Sequence, residues 1–166
     1  MYEPLAIGDS WKYTCNHQFA IENRVIGTTS VRGQRVFEFQ LQIPSTPAHS
    51  IQEVQLLAND SLGRTKIYGY LAHGKVKTIP VKAIVVPLPK LNAQYDYAGP
   101  NGKAVSRIFV GFENTNPTPL GTFWVTPYFE SGGTHNYGYT LGKGIMEEDH
   151  GPHYEYDCLI ERIVVR

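Results

Sequence analysis

Hydrophobic and polar residues alternate with a period of two along most of the chain. In "RVFEFQLQI", residues 35–43, one face carries two phenylalanines, a leucine and an isoleucine, while the other carries Val36, Glu38 and two glutamines. Such alternation is typical of an antiparallel strand with one buried face. "RVIGTTSV" precedes this segment across the short loop "RGQ", and "SIQEVQLLA" and "RTKIYGYLA" flank "NDSLG" in the same way. The pattern predicts a meander of β-hairpins.

The second half of the chain continues the strand pattern without a helix. "VKTIPVKAIVVPLPKL" contains Pro80, Pro87 and Pro89, which remove ladder donors and predict an edge or an irregular crossing. "AVSRIFVGF", "GTFWVTPYF", "NYGYTLGKGIMEE" and "HYEYDCLIERIVV" supply the later strands. No window has apolar residues at helical spacing with capping residues around it. About nine short strands without helices therefore predict an all-β fold. We expect one domain over 1–166, a single antiparallel meander forming a closed or half-open barrel, with a sandwich as the alternative.

Charge and composition narrow the range of partners. The 15 Lys and Arg residues balance the 15 Asp and Glu residues and are scattered along the chain. No basic patch that would neutralise phosphates is evident, so nucleic acid is not an expected partner. Eleven Tyr, two Trp and seven Phe residues are the more informative excess, because aromatic rings line pockets as well as cores. A small apolar or aromatic molecule is the partner that this composition favours; the oligomeric state is not predicted.

The cysteines and the chain start bear on the compartment. Cys15 and Cys158 either form a disulfide that closes nearly the whole chain, or remain free as small buried hydrophobes. No run approaches the roughly 20 apolar residues of a membrane span. The start "MYEPLAIGDSWKY" has no export signal. The expectation is a cytoplasmic protein, or an extracytoplasmic one whose leader has been replaced by Met1.

The stretch 130–151 holds the densest set of reactive side chains. Within it, "THNYGYT" places His135, Tyr137 and Tyr139 on one face of a strand. If that face points inward, the tyrosines stack on a ligand or donate to it, and His135 acts as a general acid or base near neutral pH. If it points outward, the three form a solvated stripe and His135 is an ordinary polar residue.

Two further polar groups lie on faces that carry aromatic residues. In the first strand, His17 follows Trp11 and Cys15 at two-residue steps, which would aim it at the interior. In "FWVTPYFE", Trp124 leads by the same steps to Glu130, whose burial would raise its pKa and make it a base. The plain alternative for His17 and Glu130 is contact with solvent at a strand end.

Several other chemistries are excluded by spacing. His150 and His153 bracket a Gly-Pro turn in "EEDHGPHYEYD" and match no H-E-x-x-H pattern. "GKG" lacks the strand-to-helix setting of a phosphate-binding loop, and Ser131 in "FESGG" is not in a nucleophile elbow. The sequence therefore predicts no metal site, no cofactor and no covalent hydrolase chemistry.

The two ends of the chain resemble a known group of domains. The opening "PLAIGDSWKYT" and the closing segments "PLGTFWV", "GYTLGKGIMEED" and "YEYDCLIE" resemble uncharacterised bacterial β-rich domains of secreted or lipoprotein-like chains. That group shows a "PL-x-x-G-x-x-W-x-Y" start, a "G-T-F" turn and a "G-x-G-(I/L/V)-x-(E/K)-E" stretch before the last strand. The resemblance implies a cupped, lipocalin-like sheet and transfers no catalytic residue. The chain departs from the group in having no export signal or lipid-anchor cysteine.

Two functions follow as hypotheses. The first is a non-enzymatic binding domain that holds a small apolar or aromatic molecule in an aromatic-lined β-cup. The expected ligand-binding residues are Trp11, His17, Tyr68, Tyr70, Trp124, Tyr137 and Tyr139, with His135 as a second polar group. The alternative is a cofactor-independent cyclase or isomerase of natural-product biosynthesis, with His135, then Glu130, then His17 as acid and base.

Overall fold

The computed structural model describes the backbone of residues 4–16, 19–46, 49–86, 94–98, 104–110, 114–130, 136–150 and 156–166. Side chains are described within residues 4–16, 19–42, 52–79, 114–127, 137–147 and 157–166. These residues form thirteen β-strands and no helix. The strands are β1 (Ser10–Cys15), β2 (Phe19–Val31), β3 (Gln34–Thr46), β4 (His49–Asn59), β5 (Thr65–Ala72), β6 (Lys75–Val86), β7 (Gln94–Ala98), β8 (Ala104–Val110), β9 (Asn114–Thr118), β10 (Gly121–Glu130), β11 (Asn136–Thr140), β12 (Gly144–His150) and β13 (Tyr156–Val164).

All thirteen strands belong to one antiparallel sheet, which confirms the predicted all-β meander. Its order is β6-β5-β4-β3-β2-β1-β13-β12-β11-β10-β8-β7, and β9 pairs with the other half of β10. The first and last strands of the chain are neighbours, so the pairing of β1 with β13 joins the two halves of the meander. The ends of the order are β6 and β7. They approach each other, but no hydrogen-bonded register joins them in the described residues, so the sheet is not closed.

The strand β6 lies at an end of the order, as the prolines of its segment predict. Ile67 of β5 pairs with Ala83 of β6, and Gly69 of β5 pairs with Thr78 of β6. The four β6 residues between Thr78 and Ala83 therefore lie opposite Tyr68 alone. A bulge of this size bends a strand away from its neighbour, and Pro80 within it has no ladder donor to lose. Next to the bulge the two backbones lie close together, because a Cβ on Gly69 would be 2.2 Å from the carbonyl oxygen of Lys77.

Two hydrophobic clusters hold the sheet together. The larger one lies on strands from both halves of the meander and includes Trp11, Tyr13, Phe39, Tyr139 and Ile160, all nearly inaccessible to solvent. The smaller one consists of Val31, Val36, Leu56 and Ala58, with Tyr68 and Leu71 packed against it. Strands β2 to β5 therefore contribute apolar residues to two separate clusters.

The pairing of β1 with β13 places the two cysteines opposite each other. Cys15 is the register partner of Cys158, and their sulfurs form a disulfide of 2.05 Å. Both residues are fully buried in the larger cluster. Beyond the bond, the Asp157 amide donates to the Asn16 side-chain oxygen and the Asn16 amide donates to the Asp157 carbonyl, at 2.8 and 2.9 Å. Of the two alternatives that the sequence leaves open, the structure contains the disulfide.

Two glycines flank Lys143 at the turn between β11 and β12, and only one of them contacts the core. Gly142 has φ +72° and open space around it, whereas Gly144 has φ +89° and packs against Trp11.

Gly142→Ala should lower the free energy of unfolding by about 1 to 2 kcal/mol, the cost of a left-handed conformation. Gly144→Ala carries the same cost and places a Cβ 2.8 Å from the Trp11 indole nitrogen, which should add about 1 to 3 kcal/mol. Urea unfolding of both variants measures the difference, and equal losses would contradict the tight contact.

The described residues contain no helix that is long and apolar enough to cross a membrane.

Candidate functional site

The six aromatic residues expected around one pocket lie in different environments. Trp11, Tyr70 and Tyr139 are buried in the larger cluster, at 1%, 3% and 3% exposure, and therefore fill the interior. Tyr137 is half-buried and packs against that cluster, with its ring centroid 6.1 Å from that of Tyr139. Trp124 is 64% exposed, in the half of β10 that pairs with β9, and its carbonyl accepts a hydrogen bond from the Thr140 hydroxyl at 2.7 Å.

The candidate acid and base residues cannot be placed as a constellation. His17 and His135 lie outside the described residues, and Glu130 ends β10 with only its backbone described, paired with Ile108. His150, the histidine considered for a metal, ends β12 and likewise has only its backbone described; His153 lies outside the described residues. Within the part of the chain that is described, no group of three or more His, Cys, Asp or Glu side chains is arranged to hold a metal.

Tyr68, the remaining candidate, lines a cleft of about 370 Å³. The described part of its wall consists of Val31, Arg32, Gly33, Gln34, Ile67, Tyr68 and Ile79. The turn between β2 and β3 forms one side, and β5 and β6 form the other. The volume lies within the range of small-molecule sites, roughly 300 to 1,000 Å³.

The cleft opens where β6 bulges away from β5. Tyr68 is the β5 residue left opposite the bulge, and Ile79 is the first residue of β6 within it. Across the cleft lies the turn of the β2–β3 hairpin, whose register shifts between Val25 and Gly27. A shift of this kind increases local twist.

The wall of the cleft changes from apolar at its floor to polar at its rim. Val31, Ile67 and Ile79 are almost fully buried, and the half-buried ring of Tyr68 packs against the smaller cluster. Arg32 and Gln34 are exposed at the turn. Apolar walls with a few polar groups at one end are usual for sites that orient a small molecule.

The turn has a defined backbone conformation. Val31 and Gln34 are register partners, which leaves Arg32 and Gly33 as a two-residue loop. Both loop residues have positive φ, 52° and 78°, as in a type I′ turn. Asn-Gly is the preferred pair in such turns, and a long side chain like that of Arg32 is uncommon with positive φ. The Gln34 side-chain amide donates to the Arg35 carbonyl at 3.0 Å.

The carboxylate of Asp60, in the loop between β4 and β5, is fully engaged by Arg64, Lys66 and Leu62. Its Oδ1 accepts from the amides of Leu62 and Arg64 at 2.9 and 3.0 Å, and its Oδ2 accepts from the side chains of Arg64 and Lys66 at 2.7 and 3.0 Å. Partial burial raises the pKa of Asp60, but the hydrogen bonds from Arg64, Lys66 and Leu62 outweigh it and hold the pKa well below its usual range. This carboxylate therefore stays ionised at neutral pH and is paired with its own cations.

A smaller cavity of about 150 Å³ lies near the disulfide. Its described wall is formed by Thr14, Asn16, Pro119, Asp157 and Leu159. It is below the usual size of a small-molecule site, so the cleft beside Tyr68 is the better candidate.

Sequence reasoning identified one residue of this cleft, Tyr68, and missed the others. The "VRGQ" turn was recognisable as a hairpin loop, but its contact with β5 and β6 depends on how the sheet curves. Ile79 lies at an irregularity that Pro80 alone suggested. No periodicity in the sequence links the two sides.

No protein-family model matches the chain, and no curated protein matches it in sequence. Its fold is similar to that of a crystal structure from Bacteroides fragilis NCTC 9343, described as an inferred exported protein with a YmcC-like fold. The TM-score is 0.52 and the sequences are 11% identical, with 98% of both chains covered. At this identity the similarity establishes the distant relation in fold and nothing about ligand or activity.

Proposed function

We propose that the protein is a binding domain that holds a small apolar or aromatic molecule in the cleft between the β2–β3 turn and strands β5 and β6. The single observation that carries the proposal is the cleft itself, with the half-buried Tyr68 ring in its wall and three buried aliphatic residues behind it. Burial of apolar ligand surface there would contribute roughly 25 cal/mol per Å² before the cost of association. The half-open sheet takes the role of a lipocalin-like cup in this proposal.

Binding fits the cleft better than acid–base catalysis. The polar residues of its described wall are Arg32, Gln34 and Tyr68. None of them is a histidine or a carboxylate, the side chains that most often serve as general acid or base. A cyclase or isomerase would need His17, Glu130 or His135, and none of these three residues belongs to the described wall of the cleft.

We also propose that the chain is a relative of the secreted or lipoprotein-like bacterial β-domains that its ends resemble. The Cys15–Cys158 disulfide supports maturation in an oxidising compartment. The description of the Bacteroides fragilis neighbour as an inferred exported protein agrees with this proposal.

Replacement of Tyr68 by Ala should lower the ligand occupancy of the protein severalfold, because the aromatic wall of the cleft is lost. Trp124→Ala is the matched control, since Trp124 was an equally good candidate by sequence but is exposed and does not line the described wall. The measurement is native mass spectrometry of protein purified from its own host in non-reducing buffer, followed by organic extraction of the bound fraction. The oxidised pair Cys15 and Cys158 should make the wild-type mass two units lighter than the reduced mass.

The control decides how the result is read. A ligand that is retained in Tyr68→Ala and lost in Trp124→Ala would place the binding site elsewhere and contradict the assignment of the cleft. Equal occupancy in the wild type and both variants would also contradict it. A cysteine pair that is reduced in host-derived protein would contradict the proposed compartment and leave the binding site unaffected.

A further inference from the structure

We propose that the cleft selects ligands with an anionic group, a carboxylate attached to an apolar body, and that Arg32 is the residue that recognises the charge. This inference rests on the proposed binding function and names its ligand class. It follows from where the polarity of the cleft lies, from the charge state of Arg32, and from the turn in which Arg32 stands.

The polarity of the cleft has a direction. The accessible apolar group of its described wall is the half-buried ring of Tyr68, and behind it the floor is backed by Val31, Ile67 and Ile79, which are at most 3% exposed. The charged side chain of its described wall, Arg32, lies at the rim on the β2–β3 turn, beside Gln34. A ligand that satisfies both ends is therefore amphipathic, with its apolar part inside and its polar part at the turn.

Arg32 has no carboxylate partner among the described residues. Arg24 is paired with Glu22, and both Arg64 and Lys66 with Asp60. Arg35, Lys75 and Lys77 have, like Arg32, no ion pair among the described residues, but of these four cations Arg32 is the one in the described wall of the cleft. A guanidinium is charged at every relevant pH and presents a planar fork of donors that matches a carboxylate. Since Asp60 is already occupied by Arg64 and Lys66, Arg32 remains available to an anion that enters the cleft.

The turn gives an independent reason to assign Arg32 a role. Its φ of 52° is followed by the φ of 78° of Gly33, and this geometry favours Asn rather than Arg at the first position. Arg32 thus occupies a position where another residue would make the better turn. The hairpin between β5 and β6 has the same geometry at His73 and Gly74, with φ of 51° and 72°, and His73 is outside the described wall of the cleft.

The two turns allow stability and recognition to be separated. Arg32→Asn should raise Tm by about 2 to 4 °C, because it supplies the preferred turn residue. It should also weaken decanoate binding about tenfold, the loss expected for one charge-assisted contact at a partly exposed site. The affinity for decanol, which has the same chain length and no charge, should stay within about twofold, since the apolar contacts of the floor are intact.

Two further variants complete the experiment, which uses isothermal titration calorimetry at fixed ionic strength and thermal unfolding of the full chain. His73→Asn should raise Tm by a similar amount and leave decanoate binding unchanged. Arg32→Lys should retain a preference for decanoate over decanol, although a smaller one, because it keeps the charge and loses the fork.

Each outcome bears on one of the two proposals. If wild-type protein binds decanol as tightly as decanoate, or if Arg32→Asn leaves decanoate affinity unchanged, the recognition of an anion is overturned while the binding cleft stands. If Arg32→Asn weakens both probes equally, Arg32 is a wall residue and its charge has no role, which also overturns the inference. If neither probe binds wild-type protein, binding of apolar molecules in this cleft fails, and charge selection fails with it.

Discussion

Reduction of the Cys15–Cys158 disulfide is expected to lower the free energy of unfolding by about 4 to 5 kcal/mol. The bond joins residues 143 positions apart and so restricts nearly the entire unfolded chain. It also fixes the pairing of β1 with β13, the contact through which the two halves of the meander meet. Loss of the bond therefore raises the conformational entropy of the unfolded chain. It also removes the covalent link at the strand pairing that joins the two ends of the chain.

Denaturant unfolding with and without reductant measures this effect. For a domain of this size, each kcal/mol corresponds to roughly 2 to 4 °C in Tm, so a decrease of roughly 10 to 20 °C is expected. The double variant Cys15→Ala with Cys158→Ala is the companion measurement, since it removes the sulfurs as well as the bond. Reduced wild-type protein keeps both sulfurs and should be the more stable of the two. Identical midpoints for oxidised and reduced wild-type protein would rule out a stabilising role for the bond.

Trp11→Ala is expected to lower the free energy of unfolding by about 3 to 5 kcal/mol. The indole is 1% exposed and packs edge-on against Phe39 with ring centroids 5.6 Å apart. Its Nε1 donates to the Lys143 carbonyl at 2.5 Å and so connects β1 to the turn before β12. The substitution would leave a cavity in the larger cluster and remove the donor from that carbonyl.

The other tryptophan of the chain provides the control. Trp124 is 64% exposed, and Trp124→Ala should change the free energy of unfolding by no more than about 0.5 kcal/mol. Trp11→Phe should fall between the two variants, because it keeps a ring beside Phe39 and loses the hydrogen bond to Lys143. Urea unfolding compares the three variants, and tryptophan emission reports each indole separately. Equal losses for Trp11→Ala and Trp124→Ala would refute the assignment of the core.

Local patterns carried most of the information about secondary structure. The alternation in "RVFEFQLQI" predicted a strand, and residues 35–43 lie within β3. The loop "RGQ" was placed correctly because glycine permits the positive φ that a two-residue turn needs. Pro80 indicated an edge or irregular strand, and β6 is both. Each of these features depends on neighbours a few residues away, which a linear sequence displays.

The environment of each aromatic residue could not be read in the same way. Trp11 and Trp124 both stand at alternating positions among apolar residues, yet the first is buried and the second is mostly exposed. The difference arises because β1 lies between β2 and β13 in the middle of the sheet, while the start of β10 pairs with the short strand β9. The two-residue alternation assigns each side chain to one of the two faces of the sheet. Only the packing of strands that are distant in sequence decides which face is buried.

By itself, the sequence determined an antiparallel meander of short strands, the positions of its turns, and two cysteines that could be joined. The tertiary structure decided that β1 pairs with β13 so that those cysteines meet, that no hydrogen-bonded register joins β6 to β7 in the described residues, and that a cleft forms beside Tyr68. Strand propensity and turn chemistry are local, whereas strand order, sheet curvature and the approach of Arg32 to the β5–β6 bulge depend on contacts between residues tens of positions apart.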